Sequence, residues 1–327
     1  MPVGKFLLTT LVSFFCAIIF VFFFRKFSLS SKILNPKGTP LVGGVGIWLS
    51  FTATCLVAFF FYYGMLPQEV KGMIFASSAM LIFGLLDDCR ELSIIAKFLV
   101  QIIATTVLVI FGIRTQIVYI GAPMNILITF IWVIGITNAF NHLDVMDAVA
   151  AATAMIVSLA FLVISILNND LKTALFSLVL FGAVSGFMIF NFPPAKVYMG
   201  NSGSHFVGFV LAAMTLVISY APMERKIALF SPLLILGLPI FDTLFVILMR
   251  ISKRQLPFRK SADHLPLRFL ALGYSKKQSL LFMCLLGVIF ALFGIALSRV
   301  ANLLGLIIIV AAFCLSTVIT LRMSKVS

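Results

Sequence analysis

Two adjacent carboxylates, Asp87 and Asp88, close the apolar run that ends Gly84-Leu85-Leu86. Adjacent carboxylates repel, so a pair in an apolar setting invites a cation: one group can hold Mg²⁺ while the other acts as a base or orients a phosphate. The plainer alternative is a solvated helix end paired with Arg90. A second acidic group lies in Asn138-Ala139-Phe140-Asn141-His142-Leu143-Asp144-Val145-Met146-Asp147-Ala148. At a helix start, the three-residue spacing of Asp144 and Asp147 puts both on one face, beside helix amides that favour negative charge. Capping of the next helix by Asp144 is the structural alternative. Capping does not call for Asn138 and Asn141, however, and an Asn/Asp-rich turn suits a pyrophosphate-bound metal or a uridine ring.

Two further segments carry anion-binding chemistry. In the stretch from Phe190 and Asn191 to His205, Pro193-Pro194 stops a helix. Gly200 and Gly203, with Ser202 and Ser204, then lead into the next apolar segment. A loop of that composition at a helix N-terminus lets backbone amides approach a phosphate. The segment from Arg250 to Gln278 carries eight basic residues together with Asp263 and His264. It can hold lipid headgroups, substrate phosphates, or both.

The elements that must position these groups are hydrophobic helices. Of the 327 residues, 62% are hydrophobic and 10% charged, with a mean hydropathy of +1.19, well above the composition of a water-soluble domain. Apolar runs long enough to cross the hydrocarbon recur along the chain, at about 5–24, 41–62, 72–86, 93–112, 121–136, 148–167, 172–190, 205–220, 227–249, 279–297 and 302–320. The fold class read from this is an all-α, polytopic transmembrane helix bundle of about eleven spans, forming a single domain over residues 1–327. The first apolar run is too long for a signal-peptide core and lacks a small-residue cleavage site, so it is expected to be retained.

Lys and Arg fall sixteen to seven in favour of one set of loops. Because cytoplasmic loops retain positive charge, the N-terminus is expected outside and the C-terminus in the cytoplasm. The same inner side holds all three histidines and most of the carboxylates, and carboxylates at span ends are costly unless paired or metal-bound. The net charge of +14 therefore reads as topology, since no basic block interleaved with aromatics points to nucleic acid. The five scattered cysteines provide neither a disulfide framework nor a C-x-x-C metal site.

Taken in order, Gly-Leu-Leu-Asp-Asp, Asn-Ala-Phe-Asn-His-Leu-Asp-Val-Met-Asp, Phe-Asn-Phe-Pro-Pro-Ala-Lys-Val-Tyr-Met-Gly-Asn-Ser-Gly-Ser and Pro239…Asp242 before a basic loop resemble the polyprenyl-phosphate N-acetylhexosamine-1-phosphate transferases, or glycosyltransferase family 4. The resemblance covers about residues 35–280 and leans to the undecaprenyl-phosphate GlcNAc-1-phosphate type rather than the phospho-MurNAc-pentapeptide translocase type, the chain being a divergent member. It implies transfer of a HexNAc-1-phosphate, GlcNAc-1-phosphate by default, from a UDP-sugar to a polyprenyl phosphate, with release of UMP at the cytoplasmic face of a bacterial inner membrane. The implied cofactor is Mg²⁺, with Mn²⁺ as the substitute. The implied partners are a UDP-sugar, a polyprenyl phosphate lipid and the membrane, with a homodimer as a further option and no nucleic acid.

Carried over by position, the resemblance implies catalytic roles for Asp87, Asp88, Asp144 and Asp147, and a metal set of Asp144, Asp147 and Asn201. Substrate contacts are implied or read for Lys97, Asn138, Asn141, Asn191, Gly200, Ser202, Arg259, Lys260, Asp263, His264 and Arg268. Three departures stand out. Asn201 replaces an aspartate of the family pattern and offers only a neutral oxygen to a metal. Val145 and Ala148 replace two glycines, which removes backbone freedom from the turn. The histidine cluster is reduced to His264, with Pro266 and Leu267 in the other two places. A catalytically degenerate member acting as a membrane scaffold would fit these losses. A transporter would need ionisable residues at mid-span, which the apolar segments lack apart from Lys97 and Asp242, both towards the inner side.

Overall fold

A chain in lipid must satisfy its backbone hydrogen bonds within each segment, and helices do so. The computed structural model describes residues 3–31, 33–35, 38–220, 225–256 and 263–326, and among them all regular structure is helical. The helices are α1 (Val3–Ser31), α2 (Gly43–Tyr63), α3 (Gln68–Cys89), α4 (Ile94–Ile110), α5 (Gly121–Leu143), α6 (Val149–Leu167), α7 (Leu171–Asn191), α8 (Gly200–Val217), α9 (Ser231–Ile235), α10 (Gly237–Ser252), α11 (Leu265–Ala271), α12 (Lys276–Leu297) and α13 (Asn302–Met323). Eight are long and apolar enough to cross a membrane by length and composition. The segment expected as one span over 227–249 is broken: a 3-10 turn and α9 meet α10 at a 70° bend. Pro232 opens α9 and Pro239 lies in the first turn of α10, where a missing N–H costs nothing.

Close approach of α8 to α2 and α3 depends on glycine. A Cβ on Gly44 would lie 2.3 Å from the Gly203 nitrogen, and one on Gly84 would lie 2.4 Å from the Ser202 Cα. Small residues of this kind let membrane helices pack backbone to backbone. The N-terminus of α8 is thereby wedged against the end of α3 that carries Asp87 and Asp88. A continuous core of Phe51, Phe59, Phe176, Phe187, Phe206 and their neighbours fills the centre. α13 and α1 remain peripheral, with exposed apolar faces suited to lipid.

The ends of the bundle differ in how they treat charge. At one end the acids are used structurally: Glu69 pairs with Lys172 at 2.7 Å, and Asp170 caps α7 through the Thr173 amide and hydroxyl. At the other end lie the carboxylates singled out from the sequence, and they are not all neutralised.

Candidate active site

Four chain segments build one cavity of about 550 Å³ at that end. The end of α3 supplies Asp88; the end of α5 and the turn after it supply Asn141, Asp144, Val145, Met146 and Asp147; α7 and the following loop supply Asn191 and Tyr198; and α8 opens with Gly200 and Asn201. Leu41, Leu267, Leu270 and Lys276 complete the wall. Asp144 and Asp147 therefore share a cavity, but not by the expected route. Asp144 follows the last residue of α5 and Asp147 lies in the turn, while the N-cap of α6 is Ala148, with no side-chain cap. Asp144 closes α5 as its C-cap residue rather than capping α6, and the helix-face spacing does not apply.

The turn is held in a conformation that its sequence resists. Ala148, at a glycine position of the family pattern, adopts φ +68, the left-handed region that favours glycine. Its amide donates to Asn191 Oδ1 at 2.9 Å, and Asn191 Nδ2 donates to the Val197 carbonyl. Asn191 thus lines the cavity but spends its amide on fixing the turn. A similar economy occurs at α8. Gly200 has φ +74, and the Asn201 and Ser202 amides donate to Asp88 at 2.8 and 3.0 Å. The anion site expected at this helix N-terminus is present, but Asp88 itself occupies it, so the amide dipoles offset its charge.

Asp147 Oδ2 accepts from the Ala195 amide and pairs with Lys276 Nζ at 3.1 Å. Its Oδ1 has no hydrogen-bond partner among the described residues. The Asp144 carboxylate has neither a hydrogen bond nor an ion pair there. Burial, then the charges of Asp88 and Asp147, raise its pKa from the ordinary 3.8 to about 7. An unpaired carboxylate beside two like charges is the arrangement that a divalent cation relieves. Among the described residues no three His, Cys, Asp or Glu side chains form a closed metal cage. Mg²⁺ does not need one, because it keeps waters and takes one or two carboxylates plus substrate phosphates. The donor set of Asp144, Asp147 and the Asn201 carbonyl fits that pattern, although Asn201 Oδ1 also accepts from Asn141 Nδ2 at 3.1 Å.

The pattern of glycosyl transferase family 4 matches residues 70–219, which include Asp88, Asp144, Asp147 and Asn201. A probable undecaprenyl-phosphate N-acetylglucosaminyl 1-phosphate transferase of Bacillus subtilis is 30% identical over 86% of this chain and 79% of its own length. The chain belongs to glycosyl transferase family 4. A decaprenyl-phosphate N-acetylglucosaminephosphotransferase of Mycolicibacterium smegmatis is 30% identical over 85% of this chain and 78% of its own length. A phospho-N-acetylmuramoyl-pentapeptide-transferase of Halalkalibacterium halodurans is 28% identical over 89% and 97%.

In this family member several residues read as substrate contacts are placed elsewhere. Asn138 exchanges two amide hydrogen bonds with Gln101 and donates to the Ile134 carbonyl, which consumes it between α4 and α5. Ser202 is fully buried under the α2 and α3 contacts and is absent from the cavity wall. Arg268 donates to the carbonyls of Met323 and Val326 and to Asp263, so its guanidinium fastens the C-terminal tail. Asp263 also pairs with Lys253 at 2.6 Å. His264 is buried with Nδ1 2.7 Å from Asp242, which in addition accepts the Leu265 amide. That pairing orients the start of α11, and the contribution of Asp242 follows from it.

Asp87 lies outside the cavity wall, paired with Lys97 Nζ at 2.6 Å and accepting the Leu92 amide. Arg259 and Lys260 lie outside the described residues. Lys276 falls in the basic segment but is not singled out by the sequence; its individual signal is a lysine in the first turn of a helix, where the dipole opposes positive charge.

Proposed function

We propose that this chain transfers GlcNAc-1-phosphate from a UDP-sugar to a polyprenyl phosphate, releasing UMP and leaving a lipid-diphosphate sugar, on the cytoplasmic face of a bacterial inner membrane. The observation that carries the reading is the convergence of Asp88, Asp144, Asp147 and Asn201, drawn from separated segments, on one cavity in which Asp144 has no partner among the described residues. The names of the Bacillus and Mycolicibacterium relatives support the acceptor lipid and the sugar.

Asp144 and Asp147 Oδ1, with the neutral Asn201 carbonyl, are the groups that would hold Mg²⁺. When bound, the ion neutralises charge on the donor diphosphate and on departing UMP. The chain's own residues position the reactants. Asn141 bonds Asn201 and Ser204, which fixes the end of α5 against α8. Asp88 is held by two amides and fixes the start of α8 at the cavity. Lys97 keeps two ammonium protons beyond its bond to Asp87 for a lipid phosphate arriving between helices. An oxygen of that phosphate attacks the phosphorus bearing the sugar, and the bond to the UMP oxygen breaks. The attacking phosphate is already anionic near neutral pH, so alignment and charge neutralisation suffice and no covalent residue is needed.

The test is to incubate the purified chain with undecaprenyl phosphate, Mg²⁺ and a panel of UDP-sugars and to follow UMP. Release is expected with UDP-GlcNAc and is abolished in Asp147→Asn. A silent scaffold is the second reading, favoured by the neutral Asn201 whose Oδ1 is engaged by Asn141. Absence of UMP from every donor, with intact protein, would establish that reading instead.

A further inference from the structure

We propose that Lys276 is a donor-positioning residue, which neutralises Asp147 while the cavity is empty of substrate and passes to the donor diphosphate when a divalent cation takes its place. The inference rests on the transferase reading and adds to it a residue and an order of events.

Four observations carry it. Among the described residues, Lys276 is the single basic side chain lining a cavity with three carboxylates. Its side chain is 54% exposed while that of Asp147 is 8% exposed, so the ammonium can leave and the carboxylate cannot follow. The contact uses Asp147 Oδ2 and leaves Oδ1 without a partner among the described residues, so the pair does not saturate the carboxylate. Lastly, Lys276 is the first residue of α12, directly after the Ser275 N-cap of a Ser275–Gln278 capping box. A positive charge there opposes the helix dipole and adds nothing to the helix. A half-exposed ammonium at a positive helix end, facing a carboxylate cluster, is placed for an anion that arrives with its own cation. A diphosphate carried by a divalent ion meets that description, since the three carboxylates would repel it alone.

The experiment measures binding to the full-length chain in detergent, with two probes. Mn²⁺ is titrated without nucleotide and followed by electron paramagnetic resonance; UDP-GlcNAc is titrated at fixed Mg²⁺ by calorimetry. In Lys276→Gln, Mn²⁺ binds about threefold more tightly, because a competing cation is gone, and UDP-GlcNAc binds about tenfold more weakly, for loss of one charge-assisted contact. Lys276→Arg restores the donor affinity, and Lys277→Gln, whose ammonium lies 5.9 Å over the Phe192 ring, changes neither. Farnesyl phosphate, titrated in the same way, retains its affinity in Lys276→Gln. Both affinities unchanged, both weakened together, or a loss confined to farnesyl phosphate would each overturn the assignment. A wild-type chain that binds neither Mn²⁺ nor UDP-GlcNAc would overturn the transferase reading itself, and the role of Lys276 with it.

Discussion

Replacing Asp144 with asparagine should make the protein more stable as the pH rises, relative to wild type. The folded carboxyl titrates near 7 against an ordinary value of 3.8, for reasons of burial and of the charges on Asp88 and Asp147. Between those values the folded chain keeps a proton that the unfolded chain has released. Stability therefore falls as the pH rises from about 4 to about 7 and is level above, at about 1.4 kcal/mol per pH unit and about 4 kcal/mol in total. An asparagine at this position does not titrate, so the variant lacks that loss. In EDTA, unfolding by detergent titration at pH 5 and pH 8 should show wild type losing about 2–3 kcal/mol more than Asp144→Asn over that interval. Saturating Mg²⁺ should recover the deficit at pH 8 far more than at pH 5, because the ion competes with a proton for the same oxygens. Equal pH slopes for the two proteins in EDTA would refute the claim that Asp144 is an uncompensated carboxylate.

Two backbone positions give further tests. Ala148→Gly relieves a left-handed alanine and should raise thermal stability by up to about 1 kcal/mol, read as an upward shift of the melting temperature in detergent. Gly200→Ala adds a Cβ 2.7 Å from Asp88 Oδ2 at φ +74, which should lower stability by about 1–3 kcal/mol, read as a lower melting temperature in detergent. Unchanged melting in the second variant would mean that α8 does not depend on that contact.

Hydrophobic runs and their interruptions made the helical bundle legible from the sequence, because the requirement for apolar length in lipid is local and reads directly from composition. The polar segments around Asp87, Asp144 and Asn201 were legible for the same reason: polar and acidic residues at helix ends stand out against 62% hydrophobic residues. What each polar group does was not legible. Asp88 satisfies amides 113 and 114 residues away, Asp147 meets Lys276 129 residues on, and Arg268 donates to two carbonyls of the C-terminal tail. Sequence spacing placed Asp144 at a helix start, yet the chain turns there with Ala148 in a strained conformation, because Asn191 and the loop around Val197 supply the bonds that hold it.

The sequence by itself determined a membrane helix bundle and marked the acidic and asparagine-rich segments that the structure gathers at one of its ends. Only the tertiary structure decided which carboxylates already have partners, Asp87 the Lys97 ammonium and Asp88 the α8 amides, and which one, Asp144, is left wanting a cation. Charge compensation depends on partners within a few ångströms, and those distances arise from helix packing rather than from order along the chain.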